Sequence, residues 1–198
     1  MSISYPHLLY TVLLVFVYTI YMSMFSDPKK NIEQLGIQPG MNIADLGAGS
    51  GFHTIELAKS LAGTGLVYAV DIQKDLLTKI KNNGAGQNLY NIEVVWGDIE
   101  KLSGTKIKDA TIDLVLLSNI LFQVEDKKGV IEESKRILVP GGRVAIVDWS
   151  ESFGGIGPHQ DQVVTKQSAT GLFEQAGFAL EREISTGSHH YGLIFKKL

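Results

Sequence analysis

The run Asn42-Ile43-Ala44-Asp45-Leu46-Gly47-Ala48-Gly49-Ser50-Gly51-Phe52 constrains this chain more than any other stretch. An apolar strand leads into three alternating glycines. A helical pattern follows, with apolar residues at Phe52, Ile55, Leu57, Ala58 and Leu61. Glycines let the backbone turn sharply and approach a ligand closely, because no Cβ intervenes. The helix after them offers free N–H groups in its first turn. This strand–turn–helix fits any nucleotide-type ligand held at the carboxyl end of a strand in an α/β sheet.

Asp45, just before the first glycine, separates the candidates. A carboxylate at the mouth of the loop repels a pyrophosphate, which seeks amides and positive charge. It attracts a ligand that carries an ammonium and a sulfonium, and so favours S-adenosylmethionine (SAM) over NAD. The spacing agrees. The dinucleotide fingerprint G-x-G-x-x-G needs a third glycine for close helix–strand packing, and Phe52 occupies that position here.

Two further elements follow in order. Leu66-Val67-Tyr68-Ala69-Val70-Asp71 reads as a short buried strand ending in an acid, 20 residues past Gly51, about where ribose hydroxyls need an acceptor. Ile92-Glu93-Val94-Val95-Trp96 reads as a third strand, followed by Gly97-Asp98-Ile99. Asp98 there can accept from an exocyclic amine while Ile99 covers an adenine face. Each acid alone could equally be an N-cap of the following helix. Three acids at three successive strand ends are harder to explain as caps.

On these residues the chain resembles the class I, Rossmann-like SAM-dependent methyltransferases, in the broad group that includes the ubiquinone/menaquinone-biosynthesis methyltransferases. The matching stretches are Asp45 to Gly51, Tyr68-Ala69-Val70-Asp71-Ile72, Gly97-Asp98-Ile99, Ile112 to Asn119, and Arg136 to Arg143. The resemblance covers residues 35–198. It implies a three-layer α/β fold with a seven-stranded, mostly parallel sheet whose last strand is antiparallel. It also implies SAM bound across the first strand ends, near Asp45, Gly47, Gly49, Gly51, Asp71, Ile72, Asp98, Ile99 and Ser118.

Composition narrows the class. The 198 residues are 44% hydrophobic with a net charge of −3, enough for one α/β domain and its core. The pI of about 5.9 argues against a nucleic-acid binder, which carries a basic face. With no cysteine there is no disulfide, thiolate metal site or cysteine nucleophile. The thiol chemistry on which arsenite-methylating relatives depend is absent too.

Leu8 to Phe25 carries no charge. As a helix this run would extend about 27 Å, close to the roughly 30 Å of a bilayer's hydrocarbon. Tyrosines lie near both ends, and Lys29 and Lys30 follow, so a spanning helix would place the rest of the chain on the cytoplasmic side. Residues 1–25 are thus expected to form a hydrophobic helix that anchors to the inner face of a membrane. The alternatives are a helix docked on the domain or an oligomer contact. A signal peptide is a poorer fit, because a basic n-region and a small-residue cleavage site are missing.

Residues 26–34 read as a polar linker (Ser26 to Lys30) and a short helix from Asn31 to Leu35. Helices are expected at Lys74 to Asn83, ended by the cluster Asn82 to Gly86, at Lys127 to Leu138, stopped by Pro140-Gly141-Gly142, and at Thr165 to Ala176. Arg143 to Trp149 reads as strand five, and Phe178 to Ser185 with Tyr191 to Lys197 as a hairpin. The glycine-rich connection Ser150 to Val164 is long enough to be a lid or binding loop.

Methyl transfer by in-line displacement asks the protein mainly for proximity and orientation. A base is needed only when the nucleophile arrives protonated. Candidates are Asp148 at the end of strand five, His159 in the loop, and His190. His189 and His190 are adjacent on a strand, so they face opposite sides and suit no shared metal. The acceptor is read as a small molecule, hydrophobic or membrane-proximal. A nicotinamide-dependent oxidoreductase would need the glycine missing at Phe52 and a hydride-handling pair. A SAM-binding protein without catalysis would share every cofactor motif.

Overall fold

The computed structural model describes residues 26–198 apart from positions 154 and 156. The apolar run Leu8 to Phe25, and with it the expected anchor, lies outside the described residues. Among the described residues, no helix is long and apolar enough to cross a membrane.

Seven strands form one sheet: β1 (Asn42–Leu46), β2 (Leu66–Asp71), β3 (Ile92–Trp96), β4 (Ile112–Ser118), β5 (Leu138–Trp149), β6 (Phe178–Ile184) and β7 (His190–Lys197). Their order is β3-β2-β1-β4-β5-β7-β6, and β7 runs antiparallel to both its neighbours while the other pairings are parallel. The seven-stranded sheet with an antiparallel last strand is thus present. The chain winds outward from β1 to β3 and then returns to place β4 on the other side of β1. The resulting switch point opens a crevice at the carboxyl ends of β1 and β4.

Among the described residues, five helices cover the sheet: α1 (Pro28–Glu33), α2 (Phe52–Ser60), α3 (Lys74–Gly86), α4 (Lys127–Ile137) and α5 (Lys166–Gln175). Leu114 to Leu117 of β4 are fully buried, as a central parallel strand sandwiched between helix layers must be. Val130, Ile131 and Phe173 of α4 and α5 pack with Phe178 and Phe195 on one face. Ile32 of α1 and Leu57 of α2 pack with Leu116, Ala145 and Ile194 on the other.

Three boundaries differ from the sequence expectation by three residues or more, each for a local reason. Asp27-Pro28 starts α1 instead of ending a linker: Asp27 Oδ1 accepts from Lys29 N at 3.0 Å and Lys30 N at 3.4 Å, and Pro28 fills the first helical position. Helix α3 runs through the glycine cluster to Gly86. A Cβ at Gly84 would stand 2.9 Å from Ile92 Cδ1, so the missing side chain lets the helix lie close on β3. Strand β5 begins at Leu138, not Arg143. Leu138 pairs with Ile112 and Arg143 with Leu114, and Pro140-Gly141-Gly142 forms the bulge between them.

The connection from β3 to β4 is fixed by Glu133 of α4, which is fully buried. Its carboxylate accepts from Ser103 N at 2.8 Å, Thr105 N at 3.1 Å and Thr105 Oγ1 at 2.5 Å. Arg136 binds the same carboxylate and also pairs with Asp109. These bonds hold Glu133 below the usual carboxylate range in spite of its burial.

Candidate functional site

A cleft of about 250 Å³ opens at the carboxyl ends of β1 to β4. Gly47 and Gly49 line it from the first loop, Asp71, Ile72 and Gln73 from the second, Gly97 to Glu100 from the third, and Ile120, Gln123 and Val124 from the segment after β4. Three lining residues are acidic and none is basic.

The glycine loop is held from β2. Gly47 N and Ala48 N donate to Val70 O at 2.9 and 3.0 Å, and Gly49 N donates to Asp71 Oδ2 at 2.8 Å. All three glycines have positive φ, yet the space around them differs. A Cβ on Gly51 would meet Ile80 Cγ1 of α3 at 2.5 Å, and one on Gly47 would meet Ile120 Cδ1 at 2.6 Å. Around Gly49 the nearest atom is Gly47 O at 3.9 Å, so a side chain there would fill the cleft itself. Gly51 therefore serves the packing of α2 against α3 behind the cleft, while Phe52 is exposed.

Neither Asp71 nor Asp98 is the N-cap of a helix among the described residues. Asp71 Oδ1 accepts from Gln73 N at 2.8 Å, and Gln73 is the N-cap of α3; Asp98 Oδ1 accepts from Glu100 N at 3.0 Å. Each carboxylate thus closes an Asx-type turn and still presents lone pairs to the cleft. Lys101 Nζ, 2.9 Å from Asp98 Oδ2, together with the Glu100 amide holds Asp98 below the ordinary carboxylate value. Ile72 is exposed and Ile99 buried, and the two supply apolar wall on either side.

Asp45 departs from its expected place at the mouth. It is 2% exposed and does not line the cleft. Its Oδ2 accepts from Thr54 Oγ1 of α2 at 2.6 Å, so the carboxylate joins β1 to α2 beneath the loop. Burial raises its pKa to about 6, against the Thr54 bond, and the charge on Asp71 adds to the rise. The negative lining of the cleft comes instead from Asp71, Asp98 and Glu100. Gln73, Glu100, Ile120, Gln123 and Val124 were not foreseen. The first two stand two residues after each strand-end acid, a usable signal; the others carry no mark in the sequence.

The candidate bases sit in different surroundings. Asp148 is 1% exposed, its Oδ2 accepting from Leu121 N at 2.9 Å and its Oδ1 from Trp149 N at 2.8 Å. It ties the segment after β4 to the end of β5, and burial pushes it up to about 6 despite these bonds. His159 is exposed in the loop after β5, with its backbone N–H on Gln162 Oε1. His190 is buried, and its ring lies 4.3 Å from that of Trp149. His189 stacks on Phe153 and holds Glu151 Oε1 at 2.7 Å, so it belongs to the loop. Ser118 ends β4 with its hydroxyl buried, not lining the cleft. No cluster of three metal-ligating side chains occurs among the described residues.

The methyltransferase domain family matches residues 37–183, most of the chain. The chain belongs to this family. It is 32% identical over 110 residues to an arsenite methyltransferase of Halobacterium salinarum, covering 56% of this chain and 27% of that protein. It is 30% identical over 123 residues to a demethylmenaquinone methyltransferase of Staphylococcus aureus, covering 62% and 49%. The chain thus spans half or less of the length of these relatives. Among solved structures, a SAM-dependent methyltransferase from Aquifex aeolicus superposes with a TM-score of 0.80 at 26% identity, covering 88% of this chain and 92% of that one.

Proposed function

We propose that this protein binds SAM in the cleft and methylates a small, hydrophobic or membrane-proximal acceptor. The observation that carries this reading is the charge of the lining: three carboxylates, of which Asp98 is paired with Lys101, and no lysine or arginine among the lining residues themselves. Such a cleft repels a pyrophosphate and suits a cofactor with a sulfonium and an ammonium. The residues fit that group. Gly49 leaves room for close approach, Asp71 and Asp98 offer free lone pairs for ribose hydroxyls and an exocyclic amine, and Ile72 and Ile99 offer apolar faces for a base. When bound, SAM supplies an already activated methyl group; the protein holds it in place, orients the acceptor and excludes water.

The quinone named for the S. aureus relative and the uncharged run Leu8 to Phe25 both support an acceptor drawn from a membrane, with the domain on its cytoplasmic side. Arsenite is the weaker candidate, because the chain holds no cysteine. Methyl incorporation from labelled SAM, compared across quinone, lipid and water-soluble extracts, tests the acceptor. Label is expected in the lipophilic fractions, and label confined to the water-soluble fraction would contradict the reading. The anchor is tested separately: full-length protein extracted into solution by alkaline carbonate would rule it out.

A further inference from the structure

Beyond the cleft, several buried polar atoms lack a partner among the described residues, and two of them sit on elements that pack against one another. Asn31 of α1 is 1% exposed; one end of its amide reaches Ser26 Oγ at 2.6 Å and His53 Nε2 at 3.4 Å, while the other end has no partner. His190 is 8% exposed, and its Nδ1 also has none. His53, the second residue of α2, links them: it bonds Asn31 and lies near enough to His190 that a charge on one ring opposes a charge on the other.

The fold explains the meeting. His190 pairs in register with Trp149, the last residue of β5, and its ring packs on that indole at a tilt of 38°. It shares a strand face with Ile194, which packs with Ile32 of α1 and Leu57 of α2. So α1, the start of α2 and the ends of β5 and β7 come together at the carboxyl end of β5. Buried polar groups are normally satisfied, and two orphaned ones joined through a third polar residue mark a place for a ligand.

We propose that Asn31, His53 and His190 form a subsite for an uncharged hydroxyl group of the methyl acceptor, with the packed Trp149–His190 ring pair as its wall. The inference rests on the methyltransferase reading above and adds the polarity of the substrate. Burial, and then mutual repulsion, brings His53 down to about 4; burial and His189 do the same for His190. Both rings are therefore neutral at neutral pH. Asp27 faces His53 and His189 faces His190, and among the described residues no lysine or arginine is a cause of either shift. An anionic acceptor finds no counter-ion there. A hydroxyl, which both donates and accepts, can complete the amide end and the ring nitrogen together.

The test is a titration of the histidine-labelled full chain with phenol and with benzoate, read from the imidazole NMR signals with S-adenosylhomocysteine present. Phenol is expected to shift His53 and His190 and to leave the exposed His159 unmoved; benzoate is expected to shift none. His190→Phe keeps an aromatic ring against Trp149 and removes the nitrogen. It should weaken the phenol response at least fivefold while S-adenosylhomocysteine affinity stays within twofold. If that variant loses S-adenosylhomocysteine binding through misfolding, His53→Gln is read in its place. Phenol that moves neither ring, benzoate that moves both, or an undiminished response in the folded variant overturns the subsite. Failure of S-adenosylhomocysteine to bind the wild type would instead sink the cofactor reading, and the phenol titration without it would still decide the subsite.

Discussion

The cleft side of the sheet and its far side, around β5 and β7, are built by different means. Around the cleft, each strand runs straight into its loop, and the groups that shape the loop are close in sequence or on the next strand: Asp71 holds Gly49 N and Gln73 N, and Asp98 holds Glu100 N. Their polar atoms already have backbone partners and keep lone pairs to spare. On the far side the polar groups come from residues 31, 53 and 190, on three separate elements, and two of them are incomplete. A site made of consecutive strand–loop–helix units arrives preorganised by its own backbone. A site made by distant packing leaves polar atoms for a ligand to complete.

The largest expected effect breaks the cleft side through its scaffold. Gly51→Val places a branched side chain at φ +80, with a Cβ 2.5 Å from Ile80 Cγ1. Overpacking and backbone strain each cost about 1–3 kcal/mol, so a loss on the order of 3 kcal/mol is expected in urea unfolding. A variant as stable as wild type would show that α2 and α3 can move apart freely.

Asp71→Ala sharpens the comparison at the ligand. It removes the acceptor of Gly49 N and the proposed ribose contacts together. Bonds to a charged acceptor contribute about 1.5–3 kcal/mol, so cofactor affinity should fall roughly ten- to hundredfold in a folded variant. Unchanged affinity would place the ribose elsewhere.

The smallest effect concerns pH and sets the two sides against each other. His53 and His190 titrate near 4 when folded and near 6.5 when unfolded. Between those values the unfolded chain binds more protons, so these groups lose stability as pH falls. Asp45 and Asp148 titrate near 6 when folded and near 3.8 when unfolded, so the folded chain binds more protons and they lose stability as pH rises. The two pairs oppose one another, and the wild type should be nearly level from pH 4.5 to 6. Asp148→Asn should tilt the curve toward acid instability by up to about 1.4 kcal/mol per pH unit, and His190→Phe should tilt it the other way. Urea midpoints at three pH values check this; tilts of the same sign in both variants would contradict it.

The same contrast governs what could be read from the sequence. The sheet, the glycine loop, Asp71 and Asp98 follow from strand, turn and acid in direct succession, a local pattern. Gly51 was legible as a glycine but not as the packing partner of Ile80, because a close approach between helices leaves no sequence mark. Asp45 was placed at the mouth by charge alone; the hydroxyl of Thr54, nine residues later, draws it under the loop instead. His53 carries no mark in the sequence, because on this helix it is one polar residue among several. Only the packing of α1 and β7 beside it gives it partners.

The central claim, a cleft that takes a cationic SAM and refuses a pyrophosphate, is tested most directly by calorimetric titration of the wild-type chain. SAM and S-adenosylhomocysteine should bind and NAD should give no signal. Binding of NAD with none of SAM would contradict the account.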